Sequence, residues 1–181
     1  ELDGLLDAGA VGFKAFLCSS GWDDFPAVDD ATLRAGGAVA AARHVPVVVH
    51  AETDEDRGSV RSEVRAVRRA AQVTAEVGAR LHVAHVSAAA AVSEATRWPH
   101  VTVETCPHYL ALDHDDAAAI GPNARCSPPI RDAANRRRLL ELLHEGHITT
   151  IASDHSPCPP AAKLGGVPWS GIAGVQSTLP V

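Results

Sequence analysis

The chain has 181 residues, of which 46% are hydrophobic, 21% charged and 4% aromatic. That is enough for one domain with a substantial core, too apolar for a disordered tail, and it lacks the run of about 20 apolar residues that a membrane span needs. Sixteen Lys and Arg against 22 Asp and Glu give a net charge of −6, which argues against nucleic acid or an anionic membrane as the main partner and leaves small neutral or weakly charged molecules open.

Apolar runs alternate with helix-period stretches, which predicts parallel strands joined by crossover helices. The strands are expected at residues 11–17, 45–50, 81–86, 101–105 and 148–152, and their β-branched content suits burial on both faces. Between the first two, Asp29 and Asp30 can cap a helix that runs towards His44, where Val45-Pro46 ends it. Ser59 or Ser62 opens the next helix. Its apolar stripe is expected at Val60, Val64, Val67 and Ala71, with Gly78 as the stop. Helices are also expected over 88–97 and 132–144, the latter followed by Gly146, with Arg136, Arg137 and Arg138 on a solvated face. No longer repeat and no Gly-rich phosphate fingerprint interrupts this alternation. The pattern therefore predicts part of a (β/α)8 TIM barrel, with five of its eight β-α units, rather than a dinucleotide-binding sheet.

Four cysteines, Cys18, Cys106, Cys126 and Cys158, lie far apart and form no Cys-x-x-Cys pair. They suggest neither a disulfide framework nor a thiolate zinc knuckle, and the expected setting is reducing and cytoplasmic. The first residue is not an initiator and no signal peptide opens the chain. We expect residues 1–181 to be a single partial barrel domain cut at both ends from a longer protein.

In such barrels the carboxyl ends of the strands converge on the active face. Here those ends carry His50, His85, the Thr105-Cys106-Pro107-His108 run, and Asp154 followed by His155. Imidazole and carboxylate are common ligands of zinc and similar divalent ions. A single histidine at a strand end is commonplace in a chain with 10 of them. The recurrence at one topological point is what marks His50, His85 and Asp154 as a candidate metal set. Lys14 is one of only two lysines and sits in an apolar strand between Phe13 and Phe16, where a buried ammonium is costly. Two readings stay open there: an amine that snorkels out or pairs with a carboxylate, and a desolvated amine that takes up carbon dioxide to become an anionic carbamate bridging two metal ions. Arginine could not do the second.

Gly12-Phe13-Lys14-Ala15-Phe16, Val49-His50-Ala51-Glu52, His85-Val86-Ser87, Val103-Glu104-Thr105-Cys106-Pro107-His108-Tyr109-Leu110, Cys126-Ser127-Pro128-Pro129-Ile130-Arg131 and Ser153-Asp154-His155-Ser156 occur in the order of the cyclic amidohydrolases, the family of dihydroorotases, hydantoinases and allantoinases. The chain resembles that family over essentially its whole length. Phe25 to Asp30, Ser153 to Pro160 and Gly171 to Pro180 resemble the allantoinase branch most, where hydantoinases and dihydroorotases more often place threonine before the aspartate.

The resemblance implies a barrel of the metal-dependent amidohydrolase type and two divalent ions, zinc by preference, with Co2+, Mn2+ or Fe2+ as substitutes. It implies that Lys14, as its carbon dioxide adduct N6-carboxylysine, bridges them, that His50 and His85 bind one ion, and that Asp154 binds the other and takes the proton of a bridging hydroxide. The implied reaction is hydrolysis of the cyclic amide of allantoin to allantoate, with a small cyclic ureide as the partner and no nucleic acid or membrane. A homotetramer or homodimer is expected of the parent. Ser127 matches a position that contacts the ring edge in relatives; a plain turn residue before Pro128-Pro129 is the other reading. His155 and Cys158 are expected to support the site, and His82 to face the helical layer.

Two departures qualify this. The family's His-x-His pair occurs nowhere in the chain, and the accessory β-domain is absent, so the segment alone is expected to be weakly metallated or inactive. His50 and His85 are also closer in sequence than in relatives. A hydantoinase, dihydropyrimidinase or dihydroorotase-like activity is the alternative, and a non-catalytic scaffold a further one.

Overall fold

The computed structural model describes residues 1–164 and 170–179; Pro180, which closes the last quoted phrase, lies outside them. Five strands, β1 (Phe13–Phe16), β2 (Pro46–His50), β3 (Arg80–Val83), β4 (Val101–Thr105) and β5 (Thr150–Ile151), form one sheet in the order β1-β2-β3-β4-β5. Every pairing is parallel. Order in space thus repeats order in sequence. A doubly wound nucleotide-binding sheet would reverse direction at a switch point, whereas a barrel never does. The predicted partial barrel of five β-α units is what is observed.

Eight helices lie around this sheet among the described residues: α1 (Leu2–Asp7), α2 (Asp30–Ala42), α3 (Val60–Glu76), α4 (Ala89–Ala95), α5 (Pro107–Ala111), α6 (His114–Ile120), α7 (Ala133–His144) and α8 (Pro160–Leu164). The starts of the three longest are written in the sequence. Asp29, Ser59 and Asp132 each accept a hydrogen bond from a backbone N–H of the first turn, relieving donors that a helix leaves unpaired. Their stops agree too: Gly78 and Gly146 take positive φ, the left-handed geometry that closes a helix cheaply only at glycine. Helices α1, α5, α6 and α8, of five to seven residues, escaped the sequence reading because such short segments carry barely two turns of periodicity.

The strand interiors overturn one expectation. Phe13, Ala15, Val47, Val49, Leu81, Val83 and Val103 pack into or against the core under the helices. The opposite face carries a row set by register, Lys14 beside Val48, Val48 beside His82, His82 beside Thr102. In-register residues of parallel strands point the same way. That row is exposed at Lys14 and Thr102 and half-buried between, so the strands are covered on one face only. His82 accordingly faces the open side, not the helical layer, and its Nδ1 lies 2.8 Å from Thr102 Oγ1. Helix α3 differs in part: of the expected stripe, Val67 and Ala71 are buried and Val64 packs against the core, but Val60 is exposed, and the buried face also takes in Glu63, Ala66, Ala70 and Thr74. Glu63 can be inside because partners from two other segments, the Ser87-Ala88 turn and Arg131, satisfy it, as described below.

Candidate metal centre

β3 ends at Val83, three residues before the predicted end, because the backbone turns into the left-handed region at His85, with φ 42°. Asp154, after β5, has the same φ of 42°. Two predicted ligands thus occupy a conformation that L-residues other than Asn, Asp and His seldom adopt, and such strain gathers at functional sites. Gly174 supports the second turn: a Cβ there would lie 2.5 Å from the Ser153 carbonyl oxygen, so the chain can pass behind Asp154 only without a side chain.

Lys14, His50, His85, Ser127 and Asp154 all line a single pocket of about 170 Å³, together with Phe16, Arg57 and Ser156 among others. The His50 and His85 rings stand 4.8 Å apart between centroids, and Phe16 lies 5.5 Å from His50. A larger hollow of about 670 Å³ opens on the helical side between α2, α3 and Trp98, but its arginines are engaged, Arg34 with Glu76 and Arg69 with Asp30. It offers no convergent reactive groups.

The electrostatics of the small pocket are built by its neighbours. Burial, aided by the positive charge of Lys14, holds His85 well below the ordinary imidazole range, so its ring is neutral. Its Nδ1 is buried with no hydrogen-bond partner. A neutral ring with an unclaimed buried nitrogen is what a metal ligand requires. His50 Nε2 lies 2.9 Å from Glu52 Oε2, which also accepts from Ser127 Oγ at 2.8 Å, while Glu52 Oε1 accepts from Gly58 N at 2.8 Å. Burial pushes the Glu52 carboxyl up, but these hydrogen bonds, the one from His50 foremost, outweigh it and hold it below the usual range. An ionised carboxylate only accepts, so Nε2 carries the ring proton and Nδ1 is left with the lone pair. This is the carboxylate–histidine arrangement that orients metal ligands.

Asp154 is shifted the other way. Burial raises it, with Glu104 adding to the rise and Lys14 and His50 opposing it. Glu104 receives the His85 backbone N–H at 3.2 Å and sits 3.6 Å from His82 Nε2. Burial alone would raise that carboxyl too, but these partners leave it lowered. Two imidazoles, a carboxylate and an amine around one cavity fit a divalent metal centre by their donor chemistry.

Of the two readings left open for Lys14, this structure matches the amine that reaches out to solvent: it is exposed, its Nζ 5.5 Å from the Phe16 ring centroid. The reason is its place on the uncovered face of an edge strand. His155 is exposed and accepts the Val175 N–H at 3.3 Å; Cys158 is half-buried. His108 is buried with both ring nitrogens unpartnered, and burial lowers it to about 4.

Sequence reasoning assigned no role to Glu52, Glu104, Glu63 or Arg131. Glu63 accepts from the backbone N–H of Ser87 and Ala88 and from the Ser87 hydroxyl, while Arg131 reaches Glu63, Ser87 Oγ and the Gly58 carbonyl. This buried pair fastens the turn that carries His85. Glu52, two residues beyond His50, was the legible one, since a buried strand that runs straight into an acid implies a partner for it.

No protein-family model matches the chain. The allantoinase of Solibacter usitatus is 41% identical, the match covering 100% of this chain and 46% of that protein. The allantoinase of Deinococcus radiodurans is 40% identical, covering 100% and 47%. Among solved structures, the L-hydantoinase (dihydropyrimidinase) of Arthrobacter aurescens superimposes with a TM-score of 0.89 at 32% identity, over 99% of this chain and 47% of that one. The chain belongs to the cyclic amidohydrolases. A dihydroorotase of Campylobacter jejuni, at 17% identity and TM-score 0.78, shares the fold. This member spans about half the length of the curated relatives it matches. The match to the Solibacter protein runs over 209 positions against 181 residues here, so that relative carries segments this amidohydrolase chain lacks. All four cysteines are free, and no described helix is long and apolar enough to cross a membrane.

Proposed function

We propose that the protein of which this chain forms part is a metal-dependent cyclic amidase that opens the ring of allantoin to give allantoate. The single observation that carries this reading is the convergence of Lys14, His50, His85, Asp154 and Ser127 on one pocket; the identity to two allantoinases supports the choice of ring. His50 and His85 would hold one divalent ion, Asp154 the second, and Lys14, as its carbamate, would lie between them. Zinc suits this set best, with Co2+, Mn2+ or Fe2+ as replacements. When bound, the ions lower the pKa of water towards neutrality and polarise the ring carbonyl.

The chain's own residues do the rest. Glu52 fixes the His50 tautomer, and Glu104 holds the His85 backbone. Asp154, its carboxyl raised by burial, is the stronger base for that shift and is suited to accept a proton from the attacking water and return it to the leaving ring nitrogen. Ser127 donates its own proton to Glu52, which leaves its oxygen free to accept a ring N–H. The His-x-His pair of the family is missing from this sequence, so the 181-residue chain alone should bind less than two ions per molecule and turn over poorly.

The test is hydrolysis of allantoin, hydantoin and dihydroorotate side by side by the full-length protein, with metal content measured on the same sample. Preference for allantoin with two zinc equivalents supports the reading. Preference for hydantoin would favour the alternative to which the Arthrobacter structure points; no turnover of any of the three would favour a scaffold. We further propose a cytoplasmic homo-oligomer, a dimer or tetramer, which light scattering of the full-length protein would test.

A further inference from the structure

A third donor lies beside the His50–Glu52 pair, and the hydrolytic reading gives that third group no role. The Cys18 thiol, a His50 ring nitrogen and a Glu52 carboxylate oxygen all lie within 4.8 Å of one another, and all three side chains are buried. The ring nitrogen facing Glu52 is Nε2, which is held 2.9 Å from it. Register explains why they meet: Phe16 pairs with His50, and the Leu17 N–H donates to the His50 carbonyl at 3.2 Å, so the chain leaving β1 brings Cys18 alongside the end of β2. Asp54 accepts the Ser19 N–H and Gly58 donates to Glu52, closing the 53–58 loop over the cluster.

We propose that Cys18, His50 and Glu52 form a second cation site, selective for one soft ion such as Cd2+, and that filling it disables His50 as a ligand in the pocket. Three donors bonded at about 2.0–2.3 Å and spread evenly around one ion lie roughly 3.7 Å apart, so the trio has to close by up to about 1 Å, while the His50–Glu52 pair at 2.9 Å is already inside that limit. A sulfur donor selects soft ions and rejects magnesium or calcium. The protons balance as follows. The ion displaces the Cys18 thiol proton, which goes to solvent, and takes the Nε2 lone pair after the Nε2 proton has moved to Nδ1; Glu52 stays ionised. A neutral imidazole has one proton and one lone pair, so with Nε2 metallated Nδ1 is protonated and can hold nothing. The other cysteines are controls: among the described residues, none of Cys106, Cys126 or Cys158 belongs to such a three-donor group.

Only the inhibitory consequence rests on the hydrolytic reading; the binding does not, and the test uses no turnover. The 181-residue chain is titrated with Cd2+ while the ultraviolet thiolate-to-cadmium band is recorded, and cadmium-113 NMR identifies the ligands. The expected result is one band saturating at one equivalent, lost in Cys18→Ser and retained in Cys158→Ser, with a cadmium resonance coupled to the Cys18 β-protons and to the His50 ring. A band that survives Cys18→Ser, coupling to another cysteine or to no histidine, or no band at excess Cd2+ would overturn the proposal. If Cys18→Ser does not fold, the coupling pattern of the unaltered chain decides alone.

Discussion

The turn after β3 and the edge strand β1 each deliver a residue to the same pocket, by opposite means. His85 is buried in a left-handed turn whose neighbours are fastened by Glu63, Arg131 and Glu104. Asn135 adds to this by donating to the Ser87 carbonyl and accepting the Ala89 N–H. Lys14 stands exposed on a sheet edge, steadied by an aromatic ring. The difference teaches that preorganisation here is unequal. Within these 181 residues, one side of the centre is held through buried charge and backbone bonds, and the other through strand register.

That contrast can be broken in several ways. The largest effect is expected at Asp154, where both sides meet: Asp154→Asn in the full-length protein should lower kcat by about 10²–10⁴-fold, the usual worth of a positioned acid–base group, in a steady-state assay of ring opening. Next comes the rigid side. Arg131→Met leaves Glu63 buried without its guanidinium and should cost about 3–5 kcal/mol in urea unfolding of the 181-residue chain. Lys14→Met should change stability by no more than about 0.5 kcal/mol, as an exposed site does, yet reduce bound metal in the full-length protein. Equal stability losses in these two variants would erase the distinction.

Smaller effects sharpen it. Asp29→Ala removes the cap of α2, which packs on β1 and β2, and should cost about 1 kcal/mol by the same measurement. The Glu94 carboxyl is held below the usual range, chiefly by its hydrogen bonds from Arg68 and with further help from Arg97. A lowered folded-state pKa adds stability above the unfolded carboxylate pKa and loses it as pH falls towards the folded one. Glu94→Gln should therefore lower stability at neutral pH slightly and flatten the acid limb of the stability–pH curve.

Much of this was legible before any coordinates. The caps at Asp29, Ser59 and Asp132, the stops at Gly78 and Gly146 and all five strands follow from local chemistry: a short polar side chain bonds the next turn, and glycine alone closes a helix cheaply. His50, His85 and Asp154 were legible because each follows an apolar run. What escaped depended on partners distant in sequence. Nothing near Glu63 announces that Arg131, 68 residues away, and the Ser87 turn will satisfy it, so the expected stripe of α3 left Glu63 out and ran on to Val60, which is exposed, although Val67 and Ala71 are buried as expected.

The sequence by itself determined the order and direction of the strands and which side chains stand at their carboxyl ends, because alternation and capping act within a few residues. Only the tertiary structure decided that one face of the sheet is open, that Lys14 is exposed and His82 turned away from the helices, and that Glu52 and Glu104 orient the two histidines. Burial and hydrogen-bond satisfaction are properties of what surrounds a group, and those surroundings come from strands that meet only when the chain is folded.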